Sequence, residues 1–210
     1  AWGQSEYWGP FAEAMSVNHY VVALDQRGHG ESARATDGYG LSNFADDVCA
    51  LRAHFGWERY KLVGLSLGGL VSINYAGRES QYLEALTIVD IAPAIAPAAA
   101  ESMRNAPPYP DSFESLDAAV DWAKGDGLWG DSPGLRGDLA LRLRESKDGL
   151  FRWRADSNFW NNRQANRARE WEALWDAFAK ITCPIQLVLG GQSELVDEPT
   201  VERMLGLQPT

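Results

Sequence analysis

Ser66 lies at the junction of a predicted strand and a predicted helix, in the sequence Gly64-Leu65-Ser66-Leu67-Gly68. The apolar run Tyr60–Val63 precedes it, and Leu67–Tyr75 follows it with helical character. A sharp turn from strand to helix presents a serine hydroxyl at the top of a sheet, and the helix N-terminus directs positive potential at it. The arrangement predicts a nucleophilic Ser66, with the backbone N–H of Leu67 as one donor to an oxyanion.

Glycines on both sides of Ser66 support this interpretation. Gly64 and Gly68 stand two residues away, where a Cβ would clash in such a turn, and Gly69 lets the helix approach closely. The five-residue pattern alone arises by chance in about one chain of this length in ten to twenty. The alternative is a glycine-rich turn without catalysis, but the strand and the helix around the motif favour the nucleophile.

Three carboxylates are candidates for the acid that a nucleophilic serine needs beside its base. Asp90 ends one apolar run, 24 residues after Ser66, whereas Glu194 and Asp197 follow a later run. A structural role for Asp90 in holding the linker that follows it, and a solvated loop position for Glu194, are the alternatives. The residues alone leave this choice open.

Four short apolar runs predict the strands that position these residues: Tyr20–Leu24, Tyr60–Val63, Leu86–Val89 and Ile185–Leu189. Near-continuous apolar runs are typical of parallel strands covered on both faces. Between them, Ser42 is predicted to cap a helix that ends before Gly56, and a second helix begins at Ser66. Strands that alternate with helices predict an α/β fold with a mostly parallel sheet flanked by helices.

A stretch of roughly ninety residues without a strand signal separates the third apolar run from the fourth, which is too long for an ordinary connection. An irregular linker is expected at 92–112. Helices are predicted at 115–123, from Pro133 onward and around Trp171–Phe178. We therefore predict a helical cap domain at 92–180, inserted between core segments 1–91 and 181–210.

Aromatic residues are frequent in the predicted cap. They could form the roof of an apolar pocket or the core of a small helical domain, and the core is favoured for most of them. The set comprises Trp122, Trp129, Trp153, Phe159, Trp160, Trp171 and Trp175.

Charge and composition exclude several classes of function. The net charge of −10 disfavours nucleic acid and an anionic membrane surface as partners. No apolar run is long enough to predict a membrane span. No glycine fingerprint, phosphate loop or metal-ligand cluster implies a cofactor or a metal.

Cys49 and Cys183 fit no metal spacing and are expected to be reduced and buried, as in a cytoplasmic enzyme.

Three further segments carry a resemblance to a known family. Asp25-Gln26-Arg27-Gly28-His29-Gly30-Glu31-Ser32 resembles the loop after the fourth strand of α/β-hydrolase-fold enzymes, at the family's distance before the nucleophile. Val89–Pro93 resembles the end of that family's sixth strand, and Pro184–Gly191 resembles its seventh strand. With the Ser66 motif, these segments identify the chain as a member of the α/β-hydrolase-fold superfamily, similar to small bacterial esterases and lactonases.

The resemblance implies roles for individual residues. Some small bacterial esterases and lactonases place the acid after the sixth strand, which favours Asp90 and keeps Glu194 as the alternative acid. The residue after the family's His-Gly pair gives the second oxyanion N–H, and that residue aligns with Ala1. The oxyanion hole is therefore expected at Leu67 and Ala1.

The resemblance also implies a histidine base after the family's eighth strand. His19, His29 and His54 do not occupy that position, so no histidine of this sequence is assigned as the base. In the family, the third strand lies between the fourth and the fifth. Without it, the centre of the sheet would be left with unpaired backbone N–H and C=O groups. We therefore expect these 210 residues to be part of a longer chain.

A serine nucleophile in this family implies hydrolysis of a carboxylic ester, lactone or thioester through an acyl-enzyme intermediate, without a cofactor. Carbon–carbon bond hydrolysis of a ring-cleavage product is an alternative, as is a non-catalytic protein of the same fold that binds a small molecule. The expected partner is a small ester-like molecule with an apolar or aromatic part. A homodimer is left open.

Overall fold

The computed structural model describes residues 3–105, 108–126 and 132–208, with the backbone alone for residues 160–169. Short 3-10 turns lie at Ser5–Trp8 and Ser80–Tyr82. In chain order the helices and strands are α1 (Gly9–Met15), α2 (Leu41–Phe55), β1 (Tyr60–Leu65), α3 (Leu67–Glu79), β2 (Leu83–Val89), α4 (Pro97–Asn105), α5 (Leu116–Asp126), α6 (Leu135–Arg142), β3 (Leu143–Glu145), β4 (Phe151–Trp153), α7 (Ser157–Ala179), β5 (Ile185–Val188) and α8 (Glu198–Leu207).

The described residues group into two compact units. The first comprises 38–105 and 162–208, and the second comprises 3–37 and 108–161. Helix α7 begins in the second unit and continues into the first. The helical cap at 92–180 stays a prediction.

A parallel sheet in the order β1-β2-β5 forms the centre of the first unit. The central strand β2 buries Leu83, Leu86 and Ile88, which are at most 1% exposed. Three of the four predicted strands are confirmed. Near-continuous apolar runs are stabilised where both faces of a parallel sheet are covered, because their side chains then leave water.

The prediction of a strand at Tyr20–Leu24 is wrong. Residues 20–26 form neither helix nor strand, and Tyr20 is 78% exposed. A strand is defined by hydrogen bonds to a neighbouring strand. An apolar run shows that a segment suits a sheet but does not supply the neighbour.

Helix α3 packs against β1 and β2, and α2 packs against α3. Leu70, Ile73 and Ala76 recur at helical spacing along α3 and are almost fully buried. Gly77 allows a close approach on this helix, because a Cβ there would lie 2.6 Å from the carbonyl oxygen of Ala177. The predicted helix after Ser66 is therefore confirmed.

The start of α2 differs from its prediction. The helix ends at Gly56 with a left-handed φ of 65°, as expected, but its N-cap is Gly40, which has no side chain to cap with. Ser42 is exposed and lies inside the first turn. The N–H of Leu41 instead donates a 2.9 Å hydrogen bond to Oε1 of Glu170 on α7.

The second unit contains a hairpin that the sequence did not predict. Strands β3 and β4 pair antiparallel, with Leu143 opposite Trp153. The predicted helices at 115–123 and after Pro133 are confirmed as α5 and α6. The second was predicted to include Leu143, which is wrong, because α6 ends at Arg142 and Leu143 begins β3. The linker at 92–112 is not wholly irregular, because it contains α4. Three-residue strands are too short to leave a periodic signal.

An aromatic cluster packs beside this hairpin. Five ring pairs among Tyr109, Phe113, Trp122 and Trp153 have centroids 5.2–6.1 Å apart. Nε1 of Trp153 donates a 2.8 Å hydrogen bond to the carbonyl of Pro110. Trp122 and Trp153 therefore belong to a core, as the sequence favoured. Trp129 and the side chain of Trp160 lie outside the described residues.

Both cysteines carry free thiols. Cys183 is buried as expected, but Cys49 is only half-buried, and desolvation raises the pKa of its thiol despite the nearby Arg78 guanidinium.

Across the helices that the structure describes, none combines the length and the apolar character that crossing a membrane requires.

Candidate active site

The carboxyl ends of β1, β2 and β5 bring three segments of the chain to one edge of the sheet. Leu65 pairs with Val89, and Val89 pairs with Val188. Beyond these pairs the ladder continues, since the N–H of Ser66 donates to the carbonyl of Val89 at 3.0 Å and the N–H of Asp90 donates to Val188 at 2.8 Å. Ser66 and Asp90 therefore leave adjacent strands at the same level. Ligands bind at this edge in open α/β sheets.

Ser66 has a strained backbone. Its φ of 51° and ψ of −115° lie in a region that residues with a side chain rarely adopt. Such a conformation costs about 1–3 kcal/mol and persists only where the surroundings impose it. The carbonyl of Ser66 accepts the N–H of Leu70 at 3.1 Å, so α3 begins directly after this residue. Ser66 is half-buried at the junction.

Glycines permit the close packing of strand and helix here. A Cβ at Gly64 would overlap the carbonyl of Gly68 and the hydroxyl of Ser72. A Cβ at Gly69 would overlap a methyl group of Ile91. The sharp turn that the sequence predicted at Ser66 is present, and side chains at these two positions would force it open.

Leu67 is the first residue of α3. The first N–H groups of a helix have no acceptor within the helix, and they carry the positive end of its dipole. This is the position of the predicted oxyanion donor, whose role stays a prediction. Ala1, the other predicted donor, lies outside the described residues.

Asp90, like Ser66, has a positive φ, of 54°. Its side chain is half-buried, and its Oδ1 accepts a 3.3 Å hydrogen bond from the N–H of Gly190 at the end of β5. An ionised carboxylate can accept about four hydrogen bonds, so this contact leaves acceptor capacity for a further partner. The sequence offered no signal for the role of Gly190, because 100 residues separate it from Asp90.

The two other candidate acids lie in the segment that follows β5. Glu194 is exposed, just beyond a turn in which the N–H of Ser193 donates to the carbonyl of Gly190 at 3.0 Å. Asp197 is the N-cap of α8 and accepts the N–H of Thr200 at 3.1 Å. Asp197 therefore has a structural task, whereas Glu194 extends into solvent.

The histidines occupy other places. His29 is 3% exposed within the second unit, where its Nδ1 lies 3.0 Å from the carbonyl of Arg27 and its ring meets Phe159 edge to face. That acceptor requires the proton on Nδ1. His19 and His54 are exposed.

The loop at Asp25–Ser32 is organised by Asp25. Its carboxylate accepts N–H hydrogen bonds from Glu31 at 2.9 Å and Ser5 at 2.5 Å. Partial burial alone would raise the pKa of Asp25, but these hydrogen bonds outweigh it and the pKa is lowered. Gly30, at a φ of 55°, leaves room for the carboxylate, which a Cβ would overlap. These contacts give Gly30 and Asp25 a structural role in the loop.

Comparison with known proteins gives a consistent result. A family model described as alpha/beta hydrolase fold matches residues 2–207. The 2-(acetamidomethylene)succinate hydrolase of Mesorhizobium japonicum is 27% identical over 212 residues, which cover 95% of this chain and 71% of that protein. The 3-hydroxybutyrate-oligomer hydrolase of Cupriavidus necator is 26% identical over 207 residues, covering 92% and 70% respectively.

A solved structure extends this likeness to three dimensions. The crystal structure of E-2-(acetamidomethylene)succinate hydrolase superposes with a TM-score of 0.80 at 25% identity. The match covers 99% of this chain and 76% of that one. The likeness therefore extends over nearly the whole chain.

Proposed function

The chain belongs to the α/β-hydrolase-fold family, and from that premise we propose that it is a serine hydrolase that cleaves a carboxylic ester, lactone or thioester. A hydrolase role is supported by its relatives, which hydrolyse chemically different substrates. Ser66 is the proposed nucleophile and Asp90 the proposed acid, with Glu194 as the alternative acid. The substrate is proposed to be a small molecule with an apolar or aromatic part.

The backbone of Ser66 is the observation that carries this proposal. A left-handed serine between β1 and α3 is costly, and a merely structural turn has no need of it. Glycine would adopt the same φ at no steric cost. The presence of serine where glycine would be more stable is explained by its hydroxyl.

In the proposed reaction, Oγ of Ser66 attacks the substrate carbonyl carbon and its proton passes to a histidine base. That base is not assigned to a residue of this sequence. The N–H of Leu67 is proposed to donate to the oxyanion that forms. Collapse of the intermediate expels the alcohol or thiol, which takes the proton, and water then hydrolyses the acyl ester on Ser66.

Asp90 is proposed to orient and electrostatically support the base. Its position after β2 places it one strand from Ser66, and the Gly190 N–H holds one of its oxygens. Glu194 lacks this half-buried setting, because it is exposed. These contrasts favour Asp90.

Labelling of the full-length protein with a fluorophosphonate probe tests the proposal. We expect covalent labelling of the native protein and none of Ser66→Ala. The exposed Ser42→Ala is the matched control and should label like the wild type. Absence of labelling in a folded native protein would overturn the proposal and favour a non-catalytic binding protein.

A substrate panel then narrows the reaction. It compares p-nitrophenyl esters of increasing chain length, lactones, acyl thioesters and a dienoate ketone. We expect turnover of at least one ester, lactone or thioester and its loss in Ser66→Ala. Turnover of the ketone alone would replace ester hydrolysis by carbon–carbon bond hydrolysis.

A further inference from the structure

Ser72 is a buried serine on α3 to which the proposed reaction gives no part. Its side chain is 3% exposed, and its Oγ donates a 2.7 Å hydrogen bond to the carbonyl of Gly68, one turn earlier. In a helix this carbonyl already accepts the backbone N–H four residues later. The hydroxyl is therefore a second donor to the same carbonyl, and such bonds tilt the peptide and bend the helix slightly.

The bond from Ser72 to Gly68 lies against the strand that ends at the nucleophile. A Cβ added at Gly64 would overlap both the Gly68 carbonyl and the Ser72 hydroxyl. The hydrogen-bonded pair thus touches the backbone of β1 two residues before Ser66. It occupies the space between the strand that enters the turn and the helix that leaves it.

We propose that Ser72 is a positioning residue for Ser66, through the first turn of α3. The proposal rests on the function proposed above. By holding the Gly68 carbonyl against Gly64, the hydroxyl sets the separation between β1 and α3, and that separation fixes the backbone of Ser66 and the direction of the Leu67 N–H. A strained residue needs such constraints, because without them it relaxes toward a more favourable φ.

The residue that follows α3 supplies a control of the same type. Ser80 follows α3 directly, is 8% exposed, and its Oγ donates to the carbonyl of Ala76, four residues earlier. The two serines therefore share their burial and the type of hydrogen bond. They differ in place, since Ser72 lies beside the turn at Ser66 and Ser80 lies at the opposite end of α3. Ser80 Oγ also accepts the N–H of Thr182 at 3.3 Å, so its loss is expected to cost stability there.

The experiment compares Ser72→Ala with Ser80→Ala in the full-length protein. For each variant the fluorophosphonate labelling rate, the kcat and KM on the best substrate of the panel, and the Tm are measured. We expect Ser72→Ala to lower the labelling rate and kcat about tenfold with KM within about twofold, because a small displacement of a nucleophile is costly. Ser80→Ala should label at the wild-type rate although it loses stability.

Equal labelling rates in the two variants would overturn the inference, whether both match the wild type or both fall together. An effect of Ser72→Ala on KM alone would also overturn it. These outcomes leave the proposed function intact provided that Ser66→Ala still abolishes labelling. Persistence of labelling in Ser66→Ala is the separate result that removes the proposed function itself.

Discussion

Ser66 and Asp90 are the two non-glycine residues with positive φ in the part of the chain that the structure describes, at 51° and 54°. Each follows directly on a strand of the same sheet, β1 for Ser66 and β2 for Asp90. Unusual backbone conformations of this kind cluster at functional sites. At the residue scale, the proposed nucleophile and the proposed acid share a positive φ at the ends of neighbouring strands.

The proposal that Asp90 rather than Glu194 is the acid is tested by substitution. We expect Asp90→Asn to lower kcat/KM on the order of 10³-fold, because the amide cannot support a positively charged base. Glu194→Gln should stay within about twofold of the wild type, since an exposed loop carboxylate has little influence on buried charge. Steady-state kinetics of both variants checks this, and the reverse ranking would transfer the role to Glu194.

Asp25 gives a pH dependence of stability. The Glu31 and Ser5 hydrogen bonds outweigh partial burial and lower its pKa below the ordinary 3.8. A carboxyl whose pKa is lowered on folding stabilises the fold above its unfolded-state pKa, and this contribution is lost as pH falls through the folded-state pKa. Asp25→Asn should therefore reduce the free energy of unfolding at pH 7.

The measurement for Asp25 is urea denaturation of the wild type and Asp25→Asn at several pH values between 7 and the lowest pH at which the fold persists. The difference in free energy of unfolding between the two proteins should stay constant from pH 7 down to about pH 3.8, the ordinary pKa of an aspartate, and should shrink at lower pH. A constant difference throughout would show that the lowered pKa does not contribute.

At the scale of elements, the start of α2 shows how one helix completes another. Gly40 has no side chain that could accept a hydrogen bond, and Glu170 on α7 accepts the N–H of Leu41, the first residue of α2. A Cβ on Gly40 would lie 3.0 Å from Oε1 of Glu170, so glycine also makes room for the contact. The cap therefore joins two helices that are far apart in sequence.

Glu170→Ala is expected to lower the free energy of unfolding by about 1–3 kcal/mol, because it leaves a part-buried N–H without its acceptor. Ser42→Ala should change it by less than about 0.5 kcal/mol, since Ser42 is exposed and caps nothing. Glu170→Gln keeps an acceptor oxygen, so its loss in free energy of unfolding should lie between those of Glu170→Ala and Ser42→Ala. Chemical denaturation of the three variants would contradict this account if Ser42→Ala proved the most destabilised.

At the scale of the whole molecule, these 210 residues carry a net charge of −10. Charges of one sign repel across a compact fold more than across an unfolded chain, and salt screens that repulsion. Surface ion pairs such as Arg78–Asp46 lose strength in salt as well, but exposed pairs contribute little. Screening should therefore favour the folded state on balance.

We expect the Tm at pH 7.5 to rise by about 2–5 °C between 20 mM and 300 mM NaCl. The rise should disappear near pH 4.8, the isoelectric point calculated from the sequence, where the net repulsion is absent. Thermal unfolding followed by circular dichroism checks both. A Tm that falls with salt at pH 7.5 would show that ion pairs outweigh the net repulsion.

The sequence alone determined what depends on neighbours along the chain. The turn at Ser66 is specified by the glycines around it and by the apolar run and helix on either side, all within about a dozen residues. The positions of β1, β2 and β5 and of most helices follow from the same short-range periodicity. For this reason the family and the candidate nucleophile were predictable.

Tertiary structure alone decided the contacts between distant segments. The Gly190 N–H on Asp90, the Glu170 cap on Leu41 and the Ser72 hydroxyl against Gly64 each depend on how strands and helices pack. The run at Tyr20–Leu24 failed as a predicted strand for the same reason, since apolar character cannot specify a hydrogen-bonded partner. Hydrophobic periodicity predicts which side of a segment is buried. Which other segment covers it, or forms hydrogen bonds with it, is decided only in the folded chain.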